Sequence, residues 1–266
     1  MARNSYPSLL YLWDKRTLYI GPLFERLNIS QGAATLFISI DKPISFQTKD
    51  QSKPIECWSL LLPAGMSLCV NTHNAVVVNC NLDPLGADFA ALSSMMQAKQ
   101  SGVAYQLSCE ESFIASFWDM YRSQLDSAAA YEKLEDILSC GNQHCESNYQ
   151  VDQRVVTVIK LIKQTVDANL SVDDLALRVN LSVSRLVQLF KQQTGIPIRR
   201  YRQWHRLYVT AIRVGQGENL TEAAVAAGFN DSSHYCHTFR SMLGMPPSFL
   251  TEQPNSLLII PPEAST

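Results

Sequence analysis

The 266-residue chain is short of histidine, with five in all, and contains no pair of cysteines spaced as CxxC. Structural zinc sites need four Cys or His ligands in paired short spacings, so this class is excluded at the level of motif. The seven cysteines (Cys57, Cys69, Cys80, Cys109, Cys140, Cys145 and Cys236) are odd in number. A fully paired disulfide framework is therefore excluded, and a reducing compartment is expected. Long apolar runs are also missing. The longest, LLLPAGMSLCV, is cut by Pro63 and Gly65, and no stretch has the roughly 20 apolar residues that a membrane span requires. The opening segment MARNSYPSLLYLWDKR has a short apolar run without a small-residue cleavage site, so cytoplasmic localisation is expected. Net charge is small, at −2, which excludes a uniformly basic or acidic protein.

The charge is unevenly divided. Residues 1–150 carry 10 basic and 15 acidic side chains, and residues 151–266 carry 12 and 9, giving −5 and +3. Such a split accompanies many nucleic-acid-binding halves and many ordinary helical domains. The character of the chain divides in the same place. From Leu9 to about Leu82, segments such as LLYLW, ATLFISI, CWSLLL and AVVVNCNL are short, apolar and punctuated by turn residues, which predicts a small barrel or sandwich. From about Asp88 the stretches ADFAALSSMMQAK, ESFIASFWDMYRSQL and SAAAYEKLEDILS have helical spacing. Residues 141–150 are polar and aperiodic, and read as a linker. Residues 151–252 read as helices with short breaks, and 253–266 as a tail of docked apolar residues followed by disorder. The expected organisation is thus a domain over 1–140, the linker, a helical domain over 151–252 and the tail.

The helical half repeats itself. Leu186, Phe190, Lys191, Gly195 and Pro197 recur as Tyr235, Phe239, Arg240, Gly244 and Pro246, 49 residues later. A short Ala-containing helix and a tight turn precede each copy. The turns carry Asn180 and Gly228, the residue types that most readily adopt positive φ. Helix, tight turn and capped second helix form a helix-turn-helix, here written twice. At about 100° per residue, Val183, Leu186, Leu189 and Phe190 share the expected buried face of the first second-helix. Ser184, Val187, Gln188 and Lys191 oppose them, with Arg185 at the flank. In the second copy Tyr235, Phe239 and Met242 are expected to be buried. Ser233, His237, Arg240 and Ser241 point away, with His234 near the edge. Gln can bond adenine edges, Arg and Lys reach guanine or phosphate, and Val can meet a thymine methyl, so both outward sets suit a major groove.

The cluster His234-Tyr235-Cys236-His237 invites a metal reading. Cys236, however, projects well over 90° from either histidine around a helix, and no second cluster lies nearby. No metal or cofactor is expected. The two histidines are read as DNA-facing, or as plain solvated residues.

The string AxxAGFNDSSHYCHTFRSMLGMPPSF resembles the second-repeat signature of the AraC/XylS family of bacterial transcription regulators. LSVDDLALRVNLSVSRLVQLFKQQTGIPIRRYRQWHRL resembles its first repeat and connecting helix. The resemblance covers about Val151 to Leu250. It implies a seven-helix domain whose two recognition helices enter successive major grooves of double-stranded DNA. Carried over residue by residue, it assigns base contact to Ser184, Arg185, Val187 and Gln188 and to Ser232, Ser233, Cys236 and His237. Lys191, Arg240 and the helix caps such as Ser182 fall to phosphate, and His234 lies beside them. Cys236-His237 stands where many members carry Ser-Arg, which implies weaker or pH-sensitive contact by the second unit. The run Arg199 to Arg206 is tempting as a phosphate rail, but Tyr201, Trp204 and Tyr208 within it form a stripe better read as core.

For the N-terminal half the resemblance implies a cupin-like β-barrel with a helical dimerisation segment, and so an α+β chain overall. Phe113, Ile114, Phe117, Trp118, Tyr121 and Leu125 form a stripe that either dimerises or packs on the barrel, and the resemblance favours a homodimer. A catalytic cupin needs several histidines and a carboxylate around a metal. The barrel segments offer only His73, with Cys69 and Asn71 on the same strand face, so no enzyme is expected. The chain reads as a sequence-specific transcription regulator controlled by a small-molecule effector or by dimerisation, and engaging RNA polymerase if it activates. Two rivals remain: a regulator controlled by a protein partner, and a metal-dependent cupin enzyme.

Overall fold

The computed structural model describes residues 6–23, 25–30, 32–139, 151–166, 170–250 and 257–262. The expected linker, with His144 and Cys145, lies outside them. The N-terminal part is built on two sheets. Strands β1 (Ser8–Leu12), β2 (Thr17–Pro22), β4 (Thr35–Ser39), β7 (Ser59–Leu62), β9 (Val76–Asn81), β10 (Met96–Gln100), β11 (Val103–Leu107) and β12 (Leu257–Ile260) form the larger, in the order β10-β11-β7-β4-β9-β2-β1-β12. Strands β3 (Arg26–Ile29), β5 (Ile44–Gln47), β6 (Ile55–Cys57) and β8 (Leu68–Asn71) form the smaller, in the order β3-β8-β5-β6. Strand β9 is central: Asn79 pairs with Tyr19 of β2 on one side and with Phe37 of β4 on the other.

Alternation along these strands makes two apolar faces. Leu9, Tyr11, Leu18, Ile20, Val78 and Cys80 face one way. They are covered by α2 (Glu110–Ser123) and α3 (Ser127–Ser139) through Phe113, Phe117, Met120, Tyr121 and Leu134. This settles one open expectation. Phe113, Phe117 and Tyr121 are each at most 2% exposed inside the chain, so the aromatic stripe packs on the sheet. A stripe that fits a sheet and one that fits a second copy have the same periodicity. A second expectation is corrected. Helix α1 (Asp88–Met95) stops there, and Met96–Gln100 is a strand rather than a continuation of the helix. The Met, Gln, Ala and Lys of that strand are good helix formers, and pairing with Val103–Leu107 overrides their preference.

The C-terminal part contains α4 (Gln153–Gln164), α5 (Val172–Arg178), α6 (Val183–Thr194), α7 (Ile198–Gly215), α8 (Leu220–Ala226), α9 (Ser232–Leu243) and a 3-10 turn (Pro247–Leu250). The six α-helices and this turn stand where a seven-helix domain was expected. The first helix-turn-helix unit has its own core, from Val155 to Tyr201, with Leu186, Phe190 and Ile198 at its centre. The second does not. Leu207, Ala224, Phe229, Tyr235, Phe239, Met242, Met245 and Phe249 share one cluster with Tyr19, Phe37, Phe46, Leu60 and Val77 from the second face of the sheets.

Polar and backbone contacts hold the same junction. The Ser30 amide donates to the Met242 carbonyl (3.2 Å). Arg200 donates to the Ser30 carbonyl and to its hydroxyl (2.7 Å). Lys163 pairs with Asp14 at 2.7 Å. Gly244, at φ +72°, ends α9 so close to β3 that an added Cβ would lie 2.8 Å from the Asn28 amide nitrogen. The tail segment LLII forms β12, parallel to β1, and its Ile259 presses on Gly215 of α7.

Phe239 is 4% exposed within the shared cluster. Phe239→Ala is expected to destabilise the whole chain by about 3–5 kcal/mol. Urea unfolding followed both by tryptophan fluorescence and by far-UV dichroism checks this, with both signals moving together.

Candidate nucleic-acid interface

Each unit of the repeat is shaped by local chemistry visible in the sequence. Ser171 caps α5: its hydroxyl accepts from the Asp174 amide (3.0 Å) while the Asp174 carboxylate accepts from the Ser171 amide (3.1 Å). Hydrogen bonding to Ser171 holds the Asp174 carboxyl below its ordinary pKa. Asn180 at φ +53° and Gly228 at φ +88° make the two tight turns in the left-handed region. Ser182 caps α6 by accepting from the Arg185 amide (3.3 Å). The cap of α9 is Asp231, accepting from the His234 amide (2.7 Å). The sequence reading passed over Asp231, although an Asp just before a helical run is itself a start signal. Gly195 and Gly244, at φ +78° and +72°, end the two helices.

On α6 the structure leaves Ser182, Ser184, Arg185, Val187, Gln188 and Lys191 all exposed, over a buried face of Leu186, Leu189 and Phe190. Arg185 donates to Gln188 at 3.1 Å, so the two longest candidate base readers are already aligned along one side of the helix. Val183, expected in the core, is 39% exposed. It is the first residue of the helix.

On α9 the structure leaves Ser232, Ser233, His237 and Arg240 exposed, over buried Tyr235, Phe239 and Met242. Two further candidates lie off this outward face, Cys236 against its carried-over role and His234 at the edge where the projection puts it. Cys236 is half-buried on the flank beside Phe239, against the cluster shared with the sheets. His234 is also half-buried, its ring edge-on to Phe229 with centroids 5.3 Å apart. The outward face of α9 therefore offers one permanent cation, Arg240, where α6 offers two, Arg185 and Lys191. Among the described residues no group of three His, Cys, Asp or Glu converges to hold a metal.

The basic run of α7 is mostly engaged inside the molecule. Arg200 reaches Ser30, Arg202 reaches the Leu170 carbonyl, and only Arg199 of the first three arginines is exposed. Tyr201 and His205 are buried, while Trp204 and Tyr208 are half-buried beneath the sheet.

Comparison with known proteins bears on this arrangement. The family model described as a helix-turn-helix domain matches residues 175–253. RhaS, an HTH-type transcriptional activator of Pectobacterium atrosepticum, is 30% identical over 133 residues, which are 48% of each chain. Residues 175–253 thus match a helix-turn-helix domain, and the relatives that share them include transcriptional activators. The Msm operon regulatory protein of Streptococcus mutans is 29% identical over 104 residues, 39% of this chain and 37% of its own. RhaR of Yersinia pseudotuberculosis is 29% identical over 91 residues, 34% of this chain and 31% of its own. This chain thus spans between about a third and a half of the curated relatives it matches. The likeness in fold extends further. An apo variant of ToxT from Vibrio cholerae superposes with a TM-score of 0.64 at 12% identity, over 90% of this chain and 98% of that one. Wild-type ToxT solved with an unsaturated fatty acid bound gives 0.56 at 13% identity, over 94% and 97%. The α+β architecture, a sheet domain followed by the helix-turn-helix domain, is therefore shared with ToxT.

Two predictions follow from the packing of this domain. A Cβ on Gly228 would sit 2.7 Å from the Val166 carbonyl oxygen and 3.0 Å from Arg206 Nε. Gly228→Ala is expected to cost roughly 2 kcal/mol or more, while Asn180→Gly changes stability by less than about 1 kcal/mol, as denaturant midpoints would show. Burial lowers the His205 imidazole from 6.5 to about 4, with Lys163 adding to the effect and Asp14 opposing it. The unfolded chain then binds the proton first. Stability is present in full above pH 6.5 and is lost as pH falls towards 4, by roughly 3 kcal/mol at most. In His205→Gln the dependence of the unfolding midpoint on pH over that window is expected to flatten.

Proposed function

We propose that the chain is a sequence-specific, DNA-binding transcription regulator that sets α6 and α9 into two successive major grooves. The observation that carries this reading is the repeated pairing of a buried apolar face with an exposed polar face, Ser, Arg, Gln and Lys on α6 and Ser, His and Arg on α9, on a capped helix behind a tight turn. Such a face is costly to leave unpartnered only in the sense of function: solvated surfaces have no need of two copies in one order. In this reading Arg185, Val187 and Gln188 read base edges, with Ser184 beside them. Lys191, Arg240 and the cap at Ser182 meet phosphates, while Ser232 reads base edges in the second groove. Ser233 and His237 face the second groove, with His234 and Cys236 at its margin. The first unit then carries more of the base specificity.

The N-terminal sheets bias this binding rather than catalyse a reaction, and the protein works in the cytoplasm. No helix among the described residues is long and apolar enough to cross a membrane. ToxT, solved with a fatty acid bound, supports small-molecule control of this architecture. A homodimer would use a surface other than the α2 stripe, whose Phe113, Phe117 and Tyr121 are buried against the sheet. An activating member would also engage RNA polymerase.

Selection of bound fragments from a random DNA pool tests the reading. Enrichment of two short elements roughly 10 base pairs apart is expected. Gln188→Ala is expected to cost about 1–3 kcal/mol at one base position of one element and to relax preference there. A uniform loss on all DNA would remove Gln188 from base readout.

A further inference from the structure

Between the larger sheet and the C-terminal domain lies a cavity of about 110 Å³. Leu10, Tyr19 and Asn79 of β1, β2 and β9 form its floor, and Trp204, Leu207 and Phe239 of α7 and α9 form its roof. The lining is largely apolar and contains no charged side chain. An engineered cavity of ~150 Å³ in another protein stays dry and accepts benzene, so the space here suits a molecule about one ring in size.

One polar group in the floor has no use within the chain. Asn79 is 8% exposed, and its Oδ1 meets no hydrogen-bond donor among the described residues. Its neighbours on the same sheet face are satisfied. Asn81 accepts from Thr35 (2.9 Å) and donates to Thr17 (2.8 Å). The Tyr19 hydroxyl donates to the Pro22 carbonyl (2.6 Å). Leaving a buried amide oxygen unpaired is unfavourable, and an apolar residue at this central β9 position would avoid that loss. Asn79 therefore marks a place where a donor is supplied from outside.

Charge narrows the class of molecule further. A carboxylate in this cavity would have no cation to neutralise it, and its desolvation would go uncompensated. The adjoining cleft contains Lys163 and Arg16, but these are bonded to Asp14 and Asp88, each at 2.7 Å. Lys15 is exposed at the rim of that cleft. An anion could be favoured only by reaching past Tyr208 towards Lys15, which gives the charged alternative a distinct signature.

We propose that this cavity binds an uncharged, ring-sized apolar molecule bearing a hydroxyl, of the class of simple phenols, and that the hydroxyl donates to Asn79 Oδ1. Resting on the regulator reading above, the molecule is the effector. Its apolar body lies against α7, which joins the two helix-turn-helix units, and against Phe239 and Leu243 on the inner face of the second recognition helix. A ligand that differs in affinity between two placements of α9 shifts DNA affinity by the same coupling.

The test uses the full-length protein and three probes of one skeleton: para-cresol, toluene and para-toluate. At saturation para-cresol is expected to raise the thermal midpoint by about 3 °C or more, toluene by less, and para-toluate not at all. Asn79→Leu keeps the branching and heavy-atom count of the side chain and removes the orphan. It should reduce the response to para-cresol to that of toluene, and Ala211→Phe, which fills the cavity from α7, should abolish both. Equal shifts with toluene and para-cresol in the wild type overturn the role of Asn79. A larger shift with para-toluate overturns the neutral class and points to Lys15. No shift with any probe overturns the site. Should Asn79→Leu fail to fold, the three-probe comparison in the wild type and the Ala211→Phe variant still decide. The selected DNA separates the two levels: para-cresol should change affinity for it on the order of fivefold. Unchanged affinity overturns the effector role. Failure to select any DNA, with the para-cresol shift intact, overturns the regulator reading and leaves the site standing.

Discussion

The shared apolar cluster between the sheets and the second helix-turn-helix unit is the contact on which the rest of the molecule depends. Tyr235, Phe239, Met242 and Phe249 would form the underside of an isolated DNA-binding unit. Here they pack with Tyr19, Phe37 and Phe46, so neither part has a complete core alone. Burying several aromatic and aliphatic side chains at one junction outweighs the surface ion pair Lys163–Asp14, which is worth at most about 1 kcal/mol. The ion pair and the Ser30–Met242 backbone bond orient the junction; the cluster holds it.

This makes the two halves of the repeat physically unequal. The first unit encloses its own core from Val155 to Tyr201, with Ala64 and Leu85 only at its edge. The second is partly a lid on the sheets. The outward faces differ in the same direction, since α6 presents Arg185, Gln188 and Lys191 while α9 draws His234 and Cys236 into its flanks. A self-contained unit with two outward cations is thus joined by α7 to one with a single outward cation that is tied mechanically to the sheets. Such a division suits control: the tied unit is the one whose placement a change in the sheet domain can alter.

Much of this was legible in the sequence because it rests on local chemistry. The left-handed turns at Asn180 and Gly228, the Ser171–Asp174 capping pair and the buried faces of α6 and α9 each follow from residue type and spacing within a dozen positions. The early strands were legible through their alternation and turns. The hairpin of β10 and β11 was not, because Met96 to Lys99 are compatible with helix and only pairing decides. Strand β3, four residues long, is too short to announce itself. The junction was invisible for a deeper reason. Phe239 reads as a core residue whether its core belongs to its own domain or to another. Asn79 likewise reads as one polar residue in an apolar strand until its neighbours are seen to be bonded and it is not. Spacing and helical projection located the repeat and its outward residues, whereas the family resemblance placed Cys236 by position and packing turned it aside.

Strand β12 has a consequence for the order in which the molecule is made. It lies parallel to β1 at the edge of the larger sheet, with Ile259 against α7. In the chain it follows both helix-turn-helix units. During synthesis β1 emerges at the start, and the strand that closes its open edge emerges only after α9. Until then the ribosome carries a sheet with an unpaired edge and an apolar face without its cover. The sheet domain cannot reach its final form ahead of the DNA-binding domain. A chain cut short after α9 by a premature stop would lack the strand that pairs with β1, so one nonsense codon downstream of both helix-turn-helix units damages the sheet encoded before them.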